Sequence, residues 1–193
     1  MDTSNSDRYY IDLVLSGKKE AFASIVERHK DNVFNLALKI CGNNEDAEEI
    51  AQDSFVKVFR SLRSFKGNSR FTTWLYRIVY NTSITFVRKN KLGILRIDDF
   101  PADSADFLRS NISEDEAEIE YRRILLAYAI QKLDHEDRAI ITMHYYQDLS
   151  HTEICSITGI SRSNIKVRLF RARKKMKEIL EKNTVKEINY EKV

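Results

Sequence analysis

The sequence predicts an all-α chain. Three observations carry that prediction. Apolar residues recur at helical spacing over long runs, and the glycines Gly17, Gly42, Gly67, Gly93 and Gly159 fall where those runs break. No segment alternates apolar and polar residues as a half-buried strand would.

Phe22, Ile25, Val26, His29, Val33, Leu36, Ala37 and Ile40 form the first helical stripe, which stops at Cys41-Gly42. Asn44 with Glu45 and Asp46 marks the next start, carboxylates at the positive dipole end. Ala47, Ile50, Ala51, Phe55, Val58, Phe59 and Leu62 give that helix its core face. The loop "SFKGNSR" leads to a third helix from about Phe71 to Lys89. Residues 90–112 lack periodicity, contain the only proline, Pro101, and read as a connector between two domains. Ser113 with Glu116 then makes a capping box for a helix to about Leu133. Residues 136–147 form another, with Ile140, Ile141, Met143 and Tyr145 or Tyr146 available to a core.

Charge is segregated beneath a net of only +3. Between Asp53 and Asp98 there are ten Lys or Arg and no acid; from Asp98 to Glu120 there are nine acids and one base, Arg109. Eight Lys and Arg, again with no acid, lie between Arg162 and Lys177. Two cationic zones around an acidic connector suit two contacts with one polyanion. No apolar run approaches a membrane span, the start "MDTSNSDRYY" lacks the marks of a secretion signal, and Cys41 and Cys155 sit in apolar patterns, so a cytoplasmic chain is expected.

The C-terminal zone has the clearest grammar. Ser150-His-Thr-Glu153 is a capping box, Ile154, Ile157 and Thr158 face inward, Gly159 permits a left-handed turn, Ile160 fills the corner and Ser161 caps the next helix. That is a helix-turn-helix. In its second helix Ile165, Leu169, Ala172 and Met176 share one face. The opposite face carries Ser163, Lys166, Val167, Phe170, Arg171 and Lys174. Apolar Val167 and Phe170 among cations suit thymine methyls in a major groove, Lys166 suits guanine acceptors, and Arg168, Arg171, Arg173 and Lys175 suit phosphates.

The first zone interleaves Phe65, Phe71, Trp74, Tyr76, Tyr80 and Phe86 with Lys66, Arg70, Arg77, Arg88 and Lys89. Aromatics among cations suit unstacked bases of a single strand. Helical spacing equally makes Phe71, Trp74 and Ile78 core residues, and Asn81 either a base contact or a solvated amide.

"DAEEIAQDSFVKVFRSLRSFKGNSRFTTWLYRIVYN", residues 46–81, resembles the second conserved region of bacterial sigma factors, and residues 133–176 resemble their fourth. The short connector resembles the extracytoplasmic-function (group 4) class of the sigma-70 family. The resemblance implies region 2 over 1–92, an acidic linker over 93–112, region 4 over 113–183 and a tail over 184–193. It implies a transcription initiation factor whose Glu49, Gln52 and Asp53 meet the clamp helices of the largest subunit of core RNA polymerase. Phe65, Lys66, Asn68, Ser69, Arg70, Tyr76, Arg77, Tyr80 and Asn81 would melt and hold the −10 element. Ser163, Lys166, Val167, Arg168, Phe170, Arg171, Arg173 and Lys174 would read the −35 duplex. An anti-sigma partner is a habit of the family. The chain departs from the family pattern at Thr85, Asp134, Ser163 and Val167, where an acid, a proline, a glycine and a serine are common.

The rival reading is an operator-binding helix-turn-helix regulator, which leaves the aromatic-basic stretch 65–89 idle. An enzyme is the remote alternative: there is no phosphate loop, no HExxH and no ligand-spaced cluster around His29, His135, His144 or His151. No cofactor and no metal are expected.

Overall fold

The computed structural model describes residues 3–90 and 114–190, with side chains over 6–90 and 118–183. The acidic connector expected over 93–112 and the Ser113 cap lie outside the described residues. Among the described residues there is no strand. Helices α1 (Thr3–Leu15), α2 (Phe22–Cys41), α3 (Asn44–Ser61) and α4 (Phe71–Lys89) make the first domain. The second holds α5 (Glu114–Gln131), α6 (His135–Tyr145), α7 (His151–Thr158) and α8 (Arg162–Tyr190).

Each apolar stripe became a core face. Ile25, Val33, Leu36, Ala37 and Ile40 of α2 pack with Ala47, Ile50 and Val58 of α3, all fully buried. Burial of side chains this size contributes roughly 1.5–3 kcal/mol each before conformational entropy is charged against it. Helix α3 starts at Asn44 as expected, and its cap is the preceding Asn43, whose side chain accepts from the Asp46 N–H at 2.8 Å. In the second domain Asp134, the departure from the family's proline, caps α6 by accepting from the Asp137 N–H at 2.9 Å. The capping box at α7 is complete, with Ser150 and Glu153 bonded reciprocally. Gly159 takes φ 75°, and Ile165, Leu169, Ala172 and Met176 of α8 are buried. Helix α8 continues through Tyr190, into the stretch expected as a tail.

Helix α1 was not expected. Its Asp7 carboxylate is buried and accepts from Arg28 Nε at 3.0 Å and His29 Nε2 at 3.1 Å of α2. Two core expectations also differ. Phe59 is 39% exposed, its ring edge-on to Phe22, and Tyr145 and Tyr146 are half-exposed. Aromatic rings with one face on the core and a rim in water satisfy both the helical pattern and the solvent.

The two domains pack against each other, and their buried residues join into one cluster. At one end of the seam the C-terminus of α2 is capped from across the domain boundary. The Ile40 carbonyl accepts from His135 Nδ1 at 2.7 Å and Arg138 Nη1 at 3.4 Å. Arg138 also donates to the Leu133 and Gln131 carbonyls, so one guanidinium gathers the negative ends of two helices. Gly42 ends α2 at φ 98°, and a Cβ there would lie 2.9 Å from the Gln131 side-chain oxygen. Gly42→Ala is expected to cost about 1–2 kcal/mol through left-handed strain. Because the Gln131 amide is the movable end of its side chain, adding Gln131→Ala is expected not to recover the loss in thermal denaturation.

Candidate nucleic-acid and polymerase interfaces

Three surfaces emerge. On α3, Glu49, Gln52 and Asp53 are all exposed, at helical spacing along one face. The same stripe continues through Val56, 47% exposed, and Phe59. The sequence reading passes over Val56 and assigns Phe59 to the core. Val56 lies three residues past Asp53 and four past Gln52, a signal available from spacing alone.

The second surface is the loop before α4 and the helix itself. Leu62–Ser64 forms a short 3-10 turn, and Gly67 at φ 72° folds the loop back. Lys66, Asn68, Ser69 and Arg70 are exposed, while Phe65 lies on Phe71 and Trp74 with ring centroids 5.5 and 5.4 Å away. Trp74 therefore serves the core, the alternative its spacing left open. The residues of α4 split between two faces. Arg77 and Asn81 are exposed and one turn apart. Tyr76 and Tyr80 are buried in the domain seam, at 3% and 6% exposure, so in this arrangement neither is open to a −10 strand.

The physical reason is that the second domain covers that face. The Tyr76 hydroxyl donates to Gln147 Oε1 at 2.7 Å, and burial pushes its phenol up to about 12. Beside it Arg70 donates through Nε at 3.0 Å and through Nη2 to the Glu153 carboxylate, to which Thr73 also donates at 3.4 Å. Burial raises the Glu153 carboxyl, but bonds from Arg70 and Ser150 outweigh it and hold the group below its ordinary value. Further along, Arg88 Nη2 pairs with Glu136 at 3.0 Å.

The third surface is the outward face of α8. Val167 and Phe170 are 44% and 63% exposed, flanked by exposed Ser163, Lys166, Arg171, Arg173 and Lys174. Arg168 departs from its expected role on a phosphate. Its guanidinium pairs with Asp137 at 2.6 Å, Glu136 at 3.0 Å and Asp134 at 3.3 Å on α6. Three carboxylates already neutralise it, and it joins α8 to α6.

Among the described residues no group of His, Cys, Asp and Glu is arranged to hold a metal, and no helix is long and apolar enough to cross a membrane.

Comparison with known proteins agrees with this arrangement. Residues 25–92 match the Sigma-70 region 2 model and residues 123–176 the Sigma-70 region 4 model. The ECF RNA polymerase sigma factor SigW of Bacillus subtilis is 32% identical over 86% of this chain and 92% of its own. The ECF RNA polymerase sigma-E factor of Haemophilus influenzae is 32% identical over 87% of this chain and 92% of its own. Among solved structures, CnrH in complex with the cytosolic domain of CnrY superposes with TM-score 0.65 at 25% identity, over 91% of this chain and 97% of that one. Bartonella quintana RpoE, bound to the anti-sigma factor NepR, shares the fold with TM-score 0.63 at 21% identity, over 83% and 96%. With both regions matched in order and an extracytoplasmic-function relative 32% identical over 86% of the chain, this protein belongs to the extracytoplasmic-function branch of the sigma-70 family of RNA polymerase sigma factors.

Proposed function

We propose that the chain is a transcription initiation factor that binds core RNA polymerase and directs it to promoters, itself catalysing nothing, in the cytoplasm. The observation that carries the DNA-reading half is the outward pair Val167 and Phe170, apolar and exposed among cations on the second helix of a helix-turn-helix. Lys166, Val167 and Phe170 contact base edges of the −35 duplex, with Arg171, Arg173 and Lys174 on phosphates. The exposed loop Lys66–Arg70 with Phe65, Arg77 and Asn81 takes the −10 strand, and Tyr76 and Tyr80 join it once the second domain moves off α4. The face Glu49, Gln52 and Asp53, extended by Val56, docks on the clamp helices of the largest polymerase subunit. An anti-sigma protein partner is expected, as CnrH is found in complex with the cytosolic domain of CnrY.

The test mixes purified protein with sigma-free core polymerase and scores transcription from genomic promoter fragments. Transcripts starting downstream of a shared −35/−10 pair support the reading. No complex, with a palindromic footprint from the protein alone, replaces it with an operator-binding regulator. Within that assay, Glu49→Lys with Asp53→Lys is expected to weaken the polymerase complex tenfold or more. Both residues are exposed, so stability should stay within about 0.5 kcal/mol of wild type.

A further inference from the structure

Behind the reading face of α8 lies a group of titratable side chains that the family resemblance does not use. His144, near the end of α6, and His151, the first residue of α7, bring their rings to 5.1 Å at an interplanar angle of 30°. His144 Nδ1 donates to the Leu149 carbonyl at 3.2 Å, which fixes the orientation of its ring. From α8, exposed Arg162, Lys166 and Arg173 all lie close enough to act electrostatically on His151.

Among the described residues no carboxylate answers this charge. Glu153 of α7 is tied to Arg70 and Ser150, and Asp134, Glu136 and Asp137 are tied to Arg168. Asp148, on the turn before α7, is exposed. The Tyr145 hydroxyl accepts from Arg173 Nη1 at 3.4 Å. Partial burial first, then His144, Lys166, Arg162 and Arg173, hold the His151 imidazole below its ordinary value, so it is neutral at pH 7 in the free protein. An anion is what this cluster lacks, and the cluster shares Lys166 and Arg173 with the duplex-reading face.

We propose that His151, backed by His144, is a protonatable phosphate contact of the −35 surface, so that duplex binding takes up a proton and tightens as the pH falls. The inference rests on the reading of α8 as the duplex reader. A phosphodiester brought to within about 4–6 Å of the ring reverses the local field and favours the imidazolium. The sign follows from linkage. A histidine that binds its proton more tightly in the complex strengthens that complex at low pH, and the gain disappears as pH rises through its value in the complex.

The experiment measures holoenzyme affinity, by fluorescence anisotropy, for a duplex carrying a −35 sequence recovered from a random pool, from pH 6 to 8. Wild type and His151→Gln are compared at each pH, so titrations elsewhere in the polymerase cancel in the ratio. The expected ratio is about fivefold in favour of wild type at pH 6 and close to one at pH 8. His151→Lys, permanently charged, is expected to bind at pH 8 as wild type does at pH 6, without pH dependence. His144→Gln keeps a donor for Leu149 and is expected to retain the pH dependence. A wild-type to His151→Gln ratio constant across the range overturns the proposal, because a merely structural role lowers affinity equally at every pH. If Lys166→Ala and Phe170→Ala leave duplex affinity unchanged, the reading of α8 fails first and the proposal falls with it.

Discussion

Lys166→Ala combined with Phe170→Ala is expected to lower promoter-specific initiation about thirtyfold or more while leaving the polymerase complex and thermal stability unchanged. Each base-edge contact is worth about 1–3 kcal/mol, and the lower end of that range, taken twice, gives the figure. Both side chains project into solvent, so no packing is lost with them. Arg168→Ala, two residues on from Lys166, is expected to behave oppositely. It should cost about 1–2 kcal/mol of stability and change duplex affinity little, because it leaves Asp134, Glu136 and Asp137 repelling one another at the foot of α6. Urea midpoints and duplex titrations on the two variants separate the roles. Equal loss of DNA affinity in both would show that Arg168 leaves its carboxylates for a phosphate.

The second large effect lies far from DNA. Asp7→Ala is expected to destabilise the protein by about 2–4 kcal/mol at pH 7, since it strands the buried His29 ring and removes the carboxylate that ties α1 to α2. Burial alone would raise the Asp7 carboxyl; hydrogen bonds and charge from His29 and Arg28 outweigh it and hold it below 3.8. A carboxyl depressed by folding stabilises above its unfolded value and loses that contribution as pH falls through its folded value. The gap between wild type and variant in urea unfolding is therefore expected to be full at neutral pH and to close only in acid below about pH 4. Amide exchange should show α1 opening first in the variant.

Local pattern made much of this legible. The stripe from Ile25 to Ile40, the capping box at Ser150 and the left-handed Gly159 each follow from a few neighbouring residues, and each stands in the fold as its spacing implied. What escaped depends on distant partners. Helix α1 is short, and it is anchored by a carboxylate whose partners lie 21 and 22 residues away, which no periodicity records. Arg168 reads as one more cation in a basic helix because its acids are 31 and 34 residues upstream. Tyr76 and Tyr80 belong to a face that a second domain covers, and a stripe of apolar and aromatic residues is the same string whether it awaits a base or a neighbouring helix.

That covered face makes the protein its own competitor. The phenol of Tyr76, the guanidinium of Arg70 and the ring of Tyr80 are occupied by Gln147, Glu153 and the α6 end before any promoter arrives. On the proposed reading a −10 strand has to displace them, so its apparent dissociation constant is the intrinsic one divided by the fraction of molecules standing open. Every 1.4 kcal/mol by which closure is favoured then demands about ten times more free DNA for the same occupancy. Parting the seam breaks single polar bonds that water replaces, and it also exposes apolar side chains that the two domains bury together in one cluster. A surface that pulls the two halves apart, as core polymerase would by gripping α3 on one side and drawing the second domain upstream on the other, raises promoter affinity without touching the promoter.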